Sequence, residues 1–341
     1  MTAGPARVRE YTMRPVNLAA VRAALARVPA IGFAPQPTPL EALPRLAAMI
    51  GARPRLFVKR DDAIPFAFGG NKVRKLAFVA ARAQADGADN LITAGGVQSN
   101  HARVTAAVAA KLGCRAVLVV NGEPPEKASA NALLDKLLGA EVVYVETRND
   151  RAPKMREIAD RLRAEGRRPF EIPIGASTAL GALGYVQAMI ELVEQIPAPD
   201  VIVHSTSSGG TQAGLVAGCR LLGLQTRVIG ISADDSATSI ETQVRSILAG
   251  IGQQLGVDLT VPSGGTAIEV DDRFVGEGYG QTTASSREAI DLAAVAEALF
   301  LDPTYTAKAM AGLIAYVREQ RFKDAQTVVF WHTGGQVALF A

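Results

Sequence analysis

Three short stretches hold the residues whose types and spacing could do chemistry. The first is Gly69-Gly70-Asn71-Lys72-Val73-Arg74-Lys75-Leu76. Two glycines end an extended segment there, and a helical pattern begins through Leu76, Val79 and Ala83. Three cations at a helix start oppose the helix dipole, which favours anions at that end, so a phosphate-bearing ligand would give them a partner. Taken alone, the cluster reads more simply as a solvated basic turn. It is not a Walker loop, because that motif sets Gly directly before Lys and Ser or Thr directly after it, where this chain has Asn71 and Val73.

The second stretch, Thr93-Ala94-Gly95-Gly96-Val97-Gln98-Ser99-Asn100-His101, follows a strand pattern and precedes a helical one. Strand ends feeding helix starts are where α/β proteins bind ligands. Ser99 and Asn100 read equally as helix caps, and His101 as an ordinary first-turn residue. The third stretch, His204-Ser205-Thr206-Ser207-Ser208-Gly209-Gly210-Thr211, stands in the same setting, and successive backbone amides at such a turn can cradle a phosphate. It lacks the Gly-x-Gly-x-x-Gly spacing of dinucleotide-binding folds, and by itself it reads as a plain loop.

The elements that must position these stretches follow from the pattern around them. Apolar or β-branched runs at 56–59, 91–94, 116–120, 142–145, 201–204, 228–232 and 328–331 predict strands. Helical stretches rich in Ala, Leu and Val, such as 104–112, 130–138 and 213–222, alternate with them. The alternation predicts a parallel α/β architecture. Leu18, Val21, Leu25 and Val28 predict a short amphipathic helix stopped by Pro29, and Pro35, Pro37 and Pro39 force an extended segment after it. Segment 262–280, rich in Gly and acidic residues, is the least regular part and reads as a loop over a site.

A chain of 341 residues suits two domains or one large α/β unit. Charged residues interrupt its apolar stretches everywhere, so no window approaches the roughly eighteen apolar residues of a membrane span. Lys plus Arg outnumber Asp plus Glu by only 36 to 33. Such a balance offers no global field for nucleic acid or an anionic membrane, which leaves a small molecule as the expected partner. Cys114 and Cys219 lie in apolar stretches without metal-ligand spacing, so both are expected as buried packing residues, with no disulfide and no metal site. Arg7, Arg9, Arg14 and Arg22 lack an apolar signal core and are interrupted by Glu10. Cytoplasmic residence is therefore expected, with a transit peptide as the other reading of the arginines.

In combination, the stretch at 69–76, Gln98-Ser99-Asn100-His101 and Ser207-Ser208-Gly209-Gly210-Thr211 resemble the pyridoxal-phosphate family that contains D-cysteine desulfhydrase and 1-aminocyclopropane-1-carboxylate deaminase. The resemblance runs from about Pro37 to the C-terminus and takes in Leu183-Gly184-Tyr185-Val186, the stretch Asp302 to Lys308, and His332-Thr333-Gly334-Gly335. It implies the tryptophan-synthase-β-like architecture (fold type II), with two parallel or mostly parallel α/β domains. Residues 1–74 plus 176–341 would form the large cofactor-binding domain and residues 75–175 the small one. A homodimer is implied as well.

By the same resemblance, Lys72 holds pyridoxal 5'-phosphate as a Schiff base. Its amine must lose a proton to do so, and burial with Arg74 and Lys75 as cationic neighbours would lower its pKa. Asn100 corresponds to the residue bonded to the cofactor's phenolic oxygen, and Ser207, Ser208, Gly209, Gly210 and Thr211 to its phosphate cup, joined by Lys75. Thr306 or Thr333 would face the pyridine nitrogen. Ser99, Asn100 and His101 correspond to the substrate-carboxylate loop, while Tyr279 and Tyr305 match tyrosines near the reacting carbons, with core packing as the alternative role for each.

The resemblance thus implies an α,β-elimination from a small β-substituted amino acid, with D-cysteine yielding pyruvate, ammonia and hydrogen sulfide. Freed Lys72 would take the α-proton. The deaminase pattern has Gln and Glu where this chain has His101 and Thr306, which places it on the desulfhydrase side. The alternatives are deamination of the cyclopropane amino acid, a lyase acting on L-cysteate or β-chloro-D-alanine, and a non-catalytic small-molecule-binding α/β protein. Residues 65–68 are expected to tune the substrate choice.

Overall fold

The computed structural model describes residues 18–33, 37–261 and 268–341. Arg7, Arg9, Glu10, Arg14, Pro35 and residues 262–267 of the irregular segment lie outside the described residues.

The strands are β1 (Leu40–Ala42), β2 (Arg55–Arg60), β3 (Asn90–Gly96), β4 (Arg115–Asn121), β5 (Glu141–Val145), β6 (Pro169–Glu171), β7 (Val201–Thr206), β8 (Arg227–Ser232), β9 (Glu269–Asp271) and β10 (Thr327–His332). They form two sheets. One runs β1-β2-β10-β7-β8-β9, with β1 antiparallel and the other pairings parallel. The other runs β5-β4-β3-β6 and is parallel throughout. All seven runs predicted as strands are strands, and the three-residue β1, β6 and β9 are too short to leave a period in the sequence.

The helices are α1 (Leu18–Leu25), α2 (Pro44–Ile50), α3 (Asn71–Ala85), α4 (Asn100–Leu112), α5 (Ala130–Leu137), α6 (Arg151–Ala164), α7 (Ala179–Gln195), α8 (Gly210–Leu221), α9 (Ala237–Leu255), α10 (Ala284–Glu297) and α11 (Thr306–Arg318). They cover both faces of each sheet, which is why the central strands are apolar at consecutive positions rather than alternate ones. On β10, Val329 and Trp331 pack among residues of α7, α8 and α9, while Val328 and Phe330 pack among residues of α10 and α11. In the smaller sheet, Leu91, Leu118 and Val120 share a core with α3 and α4, and Ile92, Val117 and Val119 share one with α6. Cys219 is buried as expected, but Cys114 is only half-buried, two residues past the end of α4 with its Sγ against the Ala88 carbonyl. No helix among the described residues is long and apolar enough to cross a membrane.

Two features fix α3. At its side, α7 approaches so closely that a Cβ on Gly184 would lie 2.3 Å from the Arg74 carbonyl oxygen, leaving no room for any residue but glycine. Behind it lies a buried polar network. Arg74 donates to Asp61 at 2.9 Å and to Glu191 at 2.9 Å, Lys59 pairs with Glu191, and Asp61 also accepts from Tyr185 and Trp331. Breaking one member of such a buried set leaves an uncompensated charge, a cost of roughly 3–5 kcal/mol.

Candidate active site

A cavity of about 640 Å³ opens between the sheets, where β3, β7 and β10 end. Its size suits a small cofactor plus a small substrate. It is lined by Lys72, Lys75, Ser99, Asn100, His101, Ser207 to Thr211, Tyr279, Tyr305 and Thr333. Of the site residues expected from the sequence, Thr306 is absent from this wall, and so are residues 65–68. The Thr306 hydroxyl is fully buried, donating to Asp302 Oδ1 at 2.7 Å and accepting from the Asp302 N–H at 2.8 Å, so it is turned to Asp302. Thr333 instead faces the cavity, paired with the Ser205 hydroxyl at 2.9 Å.

Lys72 and Lys75 are three residues apart on α3 and so share a face one turn apart. Burial, then the charge of Arg103, brings the Lys72 ammonium down to about 8 against a weaker pull from Asp302. Burial and the adjacent Lys72 hold Lys75 well below the ordinary lysine range. Arg74, expected as a neighbour of Lys72, points the other way into the Asp61–Glu191 network. Besides Lys75, the cation that bears on Lys72 is Arg103, which comes from α4 and carried no signal in the local sequence.

Lys75 Nζ donates to Ser177 Oγ at 3.0 Å. Ser177 also bonds Ser208 Oγ at 2.7 Å and accepts from the Gly210 N–H at 3.3 Å, which ties the lysine to the turn before α8. That turn needs its glycines. Gly209 has φ +76°, and a Cβ on Gly210 would meet Ser177 Oγ at 2.6 Å. Gly209, the residue before α8, has no side chain to cap the helix, and no acidic residue stands in its first turn. A glycine-made cradle of amides, two hydroxyls and a buried lysine with no carboxylate bonded to it fits a phosphate.

Asn100 Oδ1 accepts from Arg103 Nη1 and from Asn131 Nδ2, each at 3.0 Å. With its oxygen occupied, Asn100 can offer only Nδ2–H to the cavity, the donor that an anionic phenolic oxygen requires. Ser99 caps α4 by accepting from the Ala102 N–H. His101 Nε2 bonds Thr93 Oγ1 at 2.8 Å, and burial with Lys72 and Lys75 nearby keeps the ring neutral. Ser99 keeps its O–H to donate and His101 Nδ1 has no hydrogen-bond partner, so a carboxylate at this end of the cavity would meet the Ser99 hydroxyl as well as the N–H groups of the first turn of α4.

Across the cavity Tyr279 and Tyr305 bond hydroxyl to hydroxyl at 2.7 Å. Withdrawal of the two hydroxyls from water raises both, although the Tyr279 side chain as a whole is 41% exposed, so both stay protonated at neutral pH. Two residues unnoticed in the sequence place them. Asp302 accepts from the N–H groups of Thr304, Tyr305 and Thr306, and Lys308 donates to the carbonyls of Ala233, Val275 and Gly278 just before Tyr279. Their place in the stretch 302–308 was the available signal.

These features match what comparison with known proteins finds. Residues 31–334 match the family described as pyridoxal-phosphate dependent enzyme. The chain belongs to that family. It is 42% identical over 325 residues to D-cysteine desulfhydrase of Klebsiella pneumoniae, covering 93% of this chain and 97% of that one. A solved structure of a homologue of 1-aminocyclopropane-1-carboxylate deaminase is 35% identical with a TM-score of 0.88, covering 94% and 96%. The processed form of threonine deaminase isoform 2 from Solanum lycopersicum shares the fold at 19% identity and a TM-score of 0.66, covering 97% of this chain and 90% of that one. Membership makes the chain a pyridoxal-phosphate enzyme of the fold type II kind, with two mostly parallel sheets.

Proposed function

We propose that this enzyme carries out α,β-elimination on a small β-substituted amino acid, with D-cysteine and water giving pyruvate, ammonia and hydrogen sulfide. The observation that carries this reading is one cavity that sets Lys72 between the glycine-made cradle at 207–211 and the paired hydroxyls of Tyr279 and Tyr305. The Klebsiella relative supports the choice of substrate.

Lys72 would carry the cofactor, Ser207 to Thr211 with Lys75 would hold its phosphate, Asn100 Nδ2 its phenolic oxygen, and Thr333 would face its ring nitrogen. When bound, pyridoxal phosphate supplies an electron sink for the pair released when a bond at the substrate's α-carbon breaks. The first turn of α4 orients the substrate through its carboxylate. Lys72 Nζ, tuned near neutrality, accepts the α-proton. The tyrosine pair, kept protonated, offers an O–H to the departing sulfur. A hydroxyl at Thr333 stabilises a protonated ring nitrogen less than a carboxylate would, which suits a substrate with a good leaving group.

The test is pyruvate release by the purified holoenzyme from D- and L-cysteine, β-chloro-D-alanine, L-cysteate and 1-aminocyclopropane-1-carboxylate. D-Cysteine should be turned over, and K72A should lose that activity by at least about a thousandfold. No release from D-cysteine would sink the substrate assignment. The reading extends to a division into domains at 74/75 and 175/176 and a homodimer, both resting on family resemblance, and to residence in the cytoplasm, which rests on the sequence pattern around Glu10.

A further inference from the structure

Arg151 opens α6 and forms part of the cavity wall, with 91% of its surface buried. Its Nε donates to the Arg148 carbonyl at 3.1 Å. Among the described residues, its Nη1 and Nη2 groups make no hydrogen bond and no ion pair. The carboxylate nearest in charge, Asp234, is taken by Arg148 at 3.2 Å and by the Asp235 N–H at 2.9 Å, and Asp235 is half-exposed at the rim. A guanidinium keeps its proton at any pH the protein meets, so four N–H donors and a full charge are presented to the cavity. The charge that bears on it most is that of Arg148, a second cation on the same wall. Arg151 lines the same cavity as Tyr279 and Tyr305. The α-carboxylate already has donors in the first turn of α4.

We propose that Arg151 is a specificity-determining residue that binds a negative charge on the substrate's β-substituent. The inference rests on the proposed elimination reaction for its chemistry, since the group on the β-carbon is the one that leaves past the tyrosines. The site then selects amino acids whose bound β-group is anionic over those whose β-group is neutral. A charge-assisted hydrogen bond in a partly dry site accounts for about tenfold or more in affinity.

Aspartate and asparagine separate this from the reaction itself, because they are nearly isosteric, differ in β-charge and carry no β-leaving group. Binding of both enantiomers of each to the holoenzyme is measured by calorimetry and by the change in cofactor absorbance. The wild type should bind one enantiomer of aspartate at least about tenfold more tightly than the matching asparagine. R151Q should bind the two alike with unchanged cofactor absorbance, and R151K should recover part of the preference. A wild type without the preference, or R151Q or R151K variants that keep it in full and lose it respectively, would overturn the inference. Discrimination by a wild type that releases no pyruvate from D-cysteine would instead sink the elimination reading and leave the role of Arg151 standing.

Discussion

At the scale of single residues, Lys72 was legible because its neighbours in sequence made a pattern, yet the cause of its tuning was not. Arg74 looked like a neighbour on the page. A helix turns about 100° per residue, so two steps carry Arg74 to the far side of α3 while three steps bring Lys75 back beside Lys72. Helical geometry alone could have made that distinction. Arg103 and Ser177 could not have been found so, since each reaches the site from another element of the fold. The lowered lysine has a measurable consequence. Only the neutral amine attacks the cofactor's aldehyde, and burial with Arg103 favours that neutral form. In apoenzyme mixed with pyridoxal phosphate, the rate of loading at Lys72 should fall about tenfold per pH unit below about 8 and level off above it. A rate still climbing steeply between pH 9 and 10 would mean an ordinary lysine and would contradict the burial described here.

At the scale of elements, long buried strands and Ala-rich helices announced themselves, while the contacts that set their spacing did not. Gly184 is an example. Its stretch 183–186 shares in the family resemblance, but that gives no physical reason for a glycine; α7 meets the backbone of α3 there, and the nearest atoms to an added Cβ are Arg74 O at 2.3 Å, Arg74 C at 2.6 Å and Lys75 N at 3.1 Å. Backbone atoms cannot rotate aside as a side chain can. Gly184→Ala must therefore push α3 away from α7, and Lys72 and Lys75 ride on the displaced turn. Overpacking of this kind costs about 1–3 kcal/mol. The expected result is a lower melting temperature and weaker retention of pyridoxal phosphate on dialysis. Gly32→Ala, where an added Cβ meets nothing within 4 Å, should change neither. Equal behaviour of the two variants would show that the α3–α7 approach does not position the lysines.

At the scale of the whole molecule, alternation of strands and helices predicted a parallel α/β protein, and the structure has one, but in two sheets. Seven similar apolar runs do not reveal which strands pair. β2 and β10 lie side by side although some 270 residues separate them, an adjacency that depends on closure of the chain rather than on either strand. The cavity inherits this arrangement. Lys72 and Asn100 stand at the starts of α3 and α4, whereas Ser207 to Thr211 follow β7 of the larger sheet. A ligand held by both sets stabilises the folded chain by mass action, since it binds only when they are together. The covalent link should mask this in the wild type, whose melting temperature is expected to be nearly independent of added cofactor once loaded. In K72A that link is gone while Lys75, Ser177 and the cradle remain, so each tenfold rise in free pyridoxal phosphate above its dissociation constant should add about 1.4 kcal/mol. For a chain of this length that corresponds to a rise of about 1–3 °C per decade. K72A should respond in the same way to inorganic phosphate at higher concentration, because the cradle recognises the phosphate alone. A melting temperature indifferent to both ligands would remove the turn at 207–211 from the cofactor site, even with Lys72 left in its role.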